Sequence, residues 1–301
     1  MDFKRTDLAV EAKEIWSESP ENQTKLSGVE AFDKKIGDVN VTVVKILDEK
    51  GAAALCKPVG NYITLEVDTF LHRDKNAFEK TAMAIGSELS SLLRLTPDDG
   101  VLVVGLGNED VTPDAIGPWT ADGTMVTRHL KAAYPDDFAL FRSVSVIKPG
   151  VLGTTGIESA DLIKSAVKRV KPRCVIAVDA LTSRSMDRIC RTVQISDTGI
   201  SPGSGVGSAR TRLDRESMGI PVIAVGVPTV VDAGTLSLDI AEKAGFSVSD
   251  PDVFRKSAGD MIVTPKDIDA RAADMAKLLS YGINLALHPG ITVSDIEMFV
   301  S

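Results

Sequence analysis

Two aspartates in this chain follow apolar runs that read as buried strands. Asp114 lies in "VVGLGNEDVTPDAIGP" (103–118) and Asp179 in "CVIAVDAL" (174–181). Two carboxylates that share a site cannot both ionise cheaply, so one keeps a proton near neutrality. Such a pair supplies a base to activate water and an acid to protonate a leaving amine. Thr112 is placed to cap a helix start, Pro113 suits the first helical position, and Asp114 then falls in the first turn, where the helix dipole favours its ionised form. Gly117-Pro118 is expected to interrupt that helix, which resumes at Trp119 and runs to about Leu130. Asp179 is expected to end the strand 174–178 and to be more desolvated, so it is the better holder of the shared proton.

Asn108 and Thr112 are candidates to hydrogen-bond Asp114 or orient the water, and Ser183 and Arg184 to support Asp179. Loop capping explains Asn108 and Thr112 about as well, and loop solvation explains Ser183 and Arg184 slightly better. On pattern alone an aspartate after a strand is more often a cap or loop residue, and Asp110, Asp122 and Asp187 are comparable.

Other chemistries fit less well. Gly105 and Gly107 begin a dinucleotide fingerprint, but its third position holds Asp110. "PGSGVGSAR" (202–210) lacks the Lys-Ser/Thr of a phosphate loop, although its glycines leave room for an extended backbone to approach. The histidines, His72, His129 and His288, form no His-Glu-x-x-His, and no carboxylate spacing points to a metal. Neither a cofactor nor a metal is expected.

The elements that must hold the aspartates follow from periodicity. "VNVTVVKIL" (39–47) and "NYITLEVD" (61–68) alternate apolar and polar residues, which predicts an antiparallel strand pair joined by a loop over 48–60. Phe78, Ala82, Ile85, Leu89 and Leu92 mark an amphipathic helix. "VLVVGLG" (101–107), "CVIAVDAL" and "PVIAVGVPTVV" (221–231) are apolar on both faces, as buried parallel strands are. Between the first two, "TTGIESADLIKSAVKRV" predicts a helix with a Thr155–Glu158 capping box and a stripe of Ile157, Leu162, Ile163, Val167 and Val170. A last helix is expected over 270–287. The fold class is therefore α/β: a mostly parallel sheet with helices on both faces, and an elaborated N-terminal part with an antiparallel strand pair. No linker cuts the chain, so residues 1–301 are expected to form a single α/β domain.

Composition narrows the function. A net charge of −8 argues against a nucleic-acid or anionic-membrane binder, and Arg210, Arg212 and Arg215 read as a solvated loop. Three separated cysteines suggest a reducing compartment without a disulfide framework. The N-terminus lacks the apolar core of a signal peptide, and no run is long enough to span a membrane. From the residues alone the reading stops at an α/β hydrolytic or ligand-binding domain.

Several segments then carry a resemblance. "RTDLAVEA" (5–12), "GLGNEDVTPDAIGP" (105–118), "GTTGIES" (153–159), "VIAVDALTSRS" (175–185), and "SPGSGVGSAR" followed by "GIPVIAVGVPTVVDA" (201–233) resemble, in order, the germination proteases of spore-forming bacteria. The resemblance implies an endopeptidase that begins the degradation of small, acid-soluble spore proteins at germination, in the cytoplasm of the spore core. It implies an atypical aspartic-type protease, assembled as a homotetramer and made as a zymogen, with a fold similar to hydrogenase-maturation endopeptidases. Its proposed catalytic aspartates lie in the "TPDA" and "VDAL" motifs, here Asp114 and Asp179. Only "MDFK" precedes Arg5, where such zymogens carry a longer propeptide, and the Asp-Thr/Ser-Gly pairs of pepsin-like enzymes are missing. The alternatives are a metal-assisted endopeptidase of the hydrogenase-maturation type and a non-enzymatic nucleotide- or peptide-binding module.

Overall fold

Apolar runs with no polar face need cover on both sides, and the computed structural model provides it. The structure describes residues 6–18, 26–67, 76–203, 210–246, 248, 250, 253, 257–259 and 261–300. His72 and most of the "PGSGVG" glycine run fall outside them. In chain order the described elements are α1 (Ala9–Glu18), β1 (Val29–Ile36), β2 (Val39–Ile46), α2 (Glu49–Leu55), β3 (Gly60–Glu66), α3 (Ala77–Leu93) and β4 (Val101–Gly105). A 3-10 turn (Thr112–Asp114), α4 (Ile116–Asp122), α5 (Arg128–Ala133), β5 (Val144–Ile147), α6 (Leu152–Thr155), α7 (Ser159–Val170) and β6 (Cys174–Ser183) follow. The chain continues through a 3-10 turn (Met186–Arg188), β7 (Thr192–Ser196), α8 (Arg215–Met218), β8 (Val222–Asp232), α9 (Ala233–Lys243), β9 (Ile262–Val263), α10 (Ile268–Leu287) and α11 (Val293–Val300).

The strands form one sheet in the order β1-β2-β3-β7-β8-β6-β4-β5, with β9 paired to β8. Its core, β5-β4-β6-β8, is parallel. The remainder is antiparallel, including the expected pairing of β2 with β3. Alternate residues of the central strands point to opposite faces. Val101, Val103, Ile176 and Val178 join the cluster that contains the α3 and α10 side chains. Leu102, Val104, Val175 and Ala177 join Ile163 and Val167 of α7. Each fully buried aliphatic contributes about 1.5–3 kcal/mol, so these two layers hold the sheet between helices.

Several local expectations are corrected. The segment 48–60 is not wholly loop: Asp48 accepts the Lys50 and Gly51 backbone N–H groups and caps α2. The Thr155–Glu158 capping box does not form, because the Thr155 hydroxyl donates to Val151 and Ile157 carbonyls in a separate turn. Gly117-Pro118 does not break its helix. Pro118 falls in the first turn of α4, where a missing N–H costs nothing, and the helix instead stops at Asp122. The 3-10 turn before it carries no side-chain cap, since its N-cap is Val111 rather than Thr112.

Past α10, His288 is buried with 1% exposure, and its Nδ1 accepts the Arg142 N–H at 3.3 Å. Burial, then the nearby Arg142 charge, pushes the imidazole down to about 4. The unfolded chain therefore binds a proton that the folded chain refuses between these two values. His288 leaves stability undiminished above pH ~6.5 and removes up to ~3 kcal/mol as pH falls to about 4. In urea titrations at pH 7 and 4.5, His288→Gln should flatten this acid loss; an unchanged loss would remove His288 from the explanation.

Candidate active-site cleft

The cleft begins where two neighbouring strands stop matching in length. β4 ends at Gly105, opposite Val178, and a final bond runs from the Leu106 N–H to the Val178 carbonyl at 2.8 Å. β6 continues to Ser183 with β8 on its other side, and Asp179 stands opposite Gly226. Asp179 therefore lies inside its strand and not at the strand's end, but immediately past the point where β4 leaves. The carboxyl end that exposes it belongs to β4.

After Leu106 the chain turns through Gly107, whose φ of +110° is strained for any residue with a side chain. A Cβ there would lie 2.0 Å from the Asp114 carbonyl oxygen, so the return of the chain requires glycine. The Asn108 N–H donates to Asp114 Oδ2 at 2.8 Å, and the Asp114 N–H donates to the Val111 carbonyl at 2.7 Å. From across the sheet, the Thr229 hydroxyl donates to the Pro113 carbonyl at 2.6 Å. α4 then presses against the strands at Gly117. A Cβ there would come within 2.1 Å of the Leu106 oxygen and 2.5 Å of the Val178 oxygen. Both aspartates are thus set by one close backbone contact.

Thr229 is fully buried, so deleting its hydroxyl leaves the Pro113 carbonyl without that donor. Thr229→Val should cost about 1–2 kcal/mol in a thermal melt and lower proteolytic turnover about tenfold. Unchanged turnover would show that this hydroxyl does not position the Asp114 turn.

The two aspartates line one cleft of about 920 Å³, with Asp7, Lys57, Arg210 and Arg212 on its walls. That is near the upper end of the roughly 300–1,000 Å³ range of ligand pockets. Asp179 is only 5% exposed. Burial first, and the Asp114 charge second, hold its carboxyl well above the ordinary range. Asp114 is half-buried and also raised by burial, but the Asn108 N–H and the Arg210 charge pull it back. The environments of the two carboxyls differ in the sense that separates an acid from a base.

The other candidate residues are distributed differently. Asn108 reaches Asp114 through its backbone, while its side chain accepts the Asp110 N–H. Thr112 shapes the turn by accepting the Ala115 N–H with its carbonyl. Ser183 and Arg184 lie behind the cleft: the Ser183 hydroxyl and the Arg184 N–H both donate to buried Glu11 of α1. The Arg184 guanidinium faces Asp239 at 3.9 Å. Asp122 pairs with Lys148 and Asp187 with Lys243, which explains both as surface charges. Among the described residues no three His, Cys, Asp or Glu side chains converge as a metal site.

Three wall residues were not read as functional from the sequence. Asp7 donates its N–H to the Thr182 carbonyl at 2.9 Å and accepts the Thr182 N–H at 2.8 Å, which ties the N-terminal segment to β6. Arg210 and Arg212 line the cleft, while Arg215 is exposed as expected. Their distance in sequence from both aspartates concealed the relation; the only signal was their place just after the glycine run.

A parallel-cored sheet covered on both faces, with a deep charged cleft at a strand break, is the build of an α/β enzyme. Within that class the chain belongs to the germination protease family, whose profile matches residues 9–243. It is 44% identical to the germination protease of Caldanaerobacter subterraneus subsp. tengcongensis over 98% of both chains. It is 42% identical to that of Clostridium perfringens over 99% of both, and 38% identical to that of Oceanobacillus iheyensis over 98% of this chain and 97% of that one. Among solved structures it is similar to the [NiFe] hydrogenase maturation protease HycI from Thermococcus kodakarensis, with 17% identity and a TM-score of 0.36. That likeness covers 65% of this chain and 98% of the other. The protein is a peptidase, and no helix among its described residues is long and apolar enough to cross a membrane.

Proposed function

We propose that residues 1–301 form one α/β peptidase domain, an endopeptidase in which Asp114 and Asp179 act as base and acid on small acid-soluble spore proteins at germination. The observation that carries this reading is the meeting of the two aspartates in one cleft, with burial and mutual repulsion raising Asp179. Asp114, the less buried of the two and bound by the Asn108 N–H, takes a proton from water, whose oxygen attacks the peptide carbonyl carbon. Asp179 gives its proton to the amide nitrogen as the C–N bond breaks. The products are a carboxylic acid and an amine. The pair retains one proton, now on Asp114, and resets by moving it back to Asp179. Neither a metal nor a cofactor enters this sequence. In keeping with the family resemblance, the enzyme works as a homotetramer in the spore core, from a zymogen, on proteins and not on nucleic acid or membrane.

The test is incubation with a purified small acid-soluble spore protein in the presence of a chelator, with mass spectrometry of the products. Internal cleavage is expected at an unchanged rate. Cleavage that vanishes with chelator and returns with added divalent metal would replace this mechanism with a metal-assisted one.

A further inference from the structure

The mechanism leaves one charge unattended. When the Asp179 proton is reserved for the leaving amine, the peptide carbonyl oxygen becomes negative without a donor from the pair. Two backbone N–H groups beside the aspartates are already used. The Asn108 N–H is bound to Asp114 Oδ2, and the Ala180 N–H to Asp179 Oδ1 at 3.0 Å. A buried oxyanion without a donor is among the most costly features an active site can have.

Resting on the aspartate-pair reading, we propose that Arg210 is a third catalytic residue, whose guanidinium holds the peptide carbonyl oxygen as it becomes negative. Arg210 lines the same cleft as Asp114, Asp179 and Gly107. Its neighbour Arg212 is engaged elsewhere, bound to Asp214 at 2.8 Å and to the Thr198 carbonyl at 2.8 Å. Arg210 makes no hydrogen bond or ion pair among the described residues, and so keeps its donors for a bound molecule. The charged groups that act on Asp179 are Asp114, Asp7 and Arg210, and Arg210 is the cation that acts on both members of the pair. A guanidinium is always charged and offers a planar set of donors, which suits an oxygen that gains charge only during the reaction.

In the step itself, the water oxygen forms a bond to the carbonyl carbon while the C=O π pair moves onto oxygen. That pair is held by Arg210, and it returns to re-form C=O as the C–N bond breaks. No proton leaves the guanidinium, so atoms and charge balance as in the sequence above.

The test compares the native chain with Arg210→Gln and Arg210→Lys, each first shown by circular dichroism to be folded, on a small acid-soluble spore protein. Arg210→Gln is expected to lower kcat about 100-fold with KM within about threefold, and Arg210→Lys to recover about tenfold of that loss. A raised KM with unchanged kcat would overturn the proposal and make Arg210 a substrate anchor. Equal kcat in all three chains would overturn it while leaving the aspartate pair intact. A native chain that cleaves nothing would instead overturn the parent reading. A second readout needs no turnover: carboxyl-carbon NMR of 13C-aspartate-labelled protein should show the pair titrating at higher pH in Arg210→Gln, because a cation common to both has gone. An unmoved titration overturns the proposal.

Discussion

Asp179→Asn should abolish proteolysis and at the same time make the protein more stable. Loss of the acid that protonates the amine lowers turnover by at least about 1,000-fold. The stability gain has a separate cause. Burial and the Asp114 charge raise the folded-state pKa above the unfolded value, so folding favours the protonated form. That contribution is fully present below pH ~4 and is lost as pH rises through the folded-state pKa. At neutral pH the native aspartate therefore weakens the fold, and an asparagine, which cannot ionise, does not. Its amide oxygen can still accept the Ala180 N–H. A gain on the order of 1 kcal/mol, seen as a few degrees in Tm at pH 7, is expected, and it should shrink toward pH 4. Calorimetry of both chains at the two pH values measures this. A Tm that falls at pH 7 would mean that Asp179 is ionised and paired in the fold, and would remove its role as the acid.

Gly117→Ala should carry a large structural penalty for a single methyl group, because the helix beside the cleft has no room for it. The new Cβ would meet the Leu106 oxygen at 2.1 Å, the Leu106 nitrogen at 2.5 Å and the Val178 oxygen at 2.5 Å, all of them backbone atoms of β6 or of the residue just past β4. No rotamer change relieves such contacts, so α4 must lift away from the sheet. A loss of about 3 kcal/mol in urea denaturation is expected. Because the same contact sets the Asp114 turn against β6, turnover of the protein that remains folded should fall about 100-fold. Gly153→Ala is the control: its Cβ meets nothing within 4 Å. If Gly117→Ala keeps stability within about 1 kcal/mol of the native chain, α4 is not seated as described.

The parts of this molecule that were legible in the sequence are those dominated by burial. β4, β6 and β8 are buried almost throughout and each opens on an apolar run. α3 buries apolar residues three and four apart, and α10 is a long apolar-rich helix buried on every side over 278–284. β1 was missed because six successive residues of "VEAFDKKI" are exposed, leaving no alternation to read. α2 was missed because seven residues give too little periodicity and its cap, Asp48, looks like any loop aspartate.

The site was legible in part for a related reason. Asp114 and Asp179 follow apolar strands, so their types and places suggested them. That Asp179 lies within its strand depends on β4 being shorter than β6, a property of pairing that neither segment carries alone. Thr229, Asp7 and Arg210 reach the site through long-range packing. Thr229 looked like one more β-branched strand residue, and Arg210 like one more loop cation.

The most direct test of the aspartate pair is single-turnover cleavage of a small acid-soluble spore protein by the native chain, Asp114→Asn and Asp179→Asn, each shown to be folded. An acid–base pair predicts internal cleavage by the native chain alone, with both variants at background. Cleavage persisting in both variants would contradict the pair and move the chemistry to other residues of the cleft.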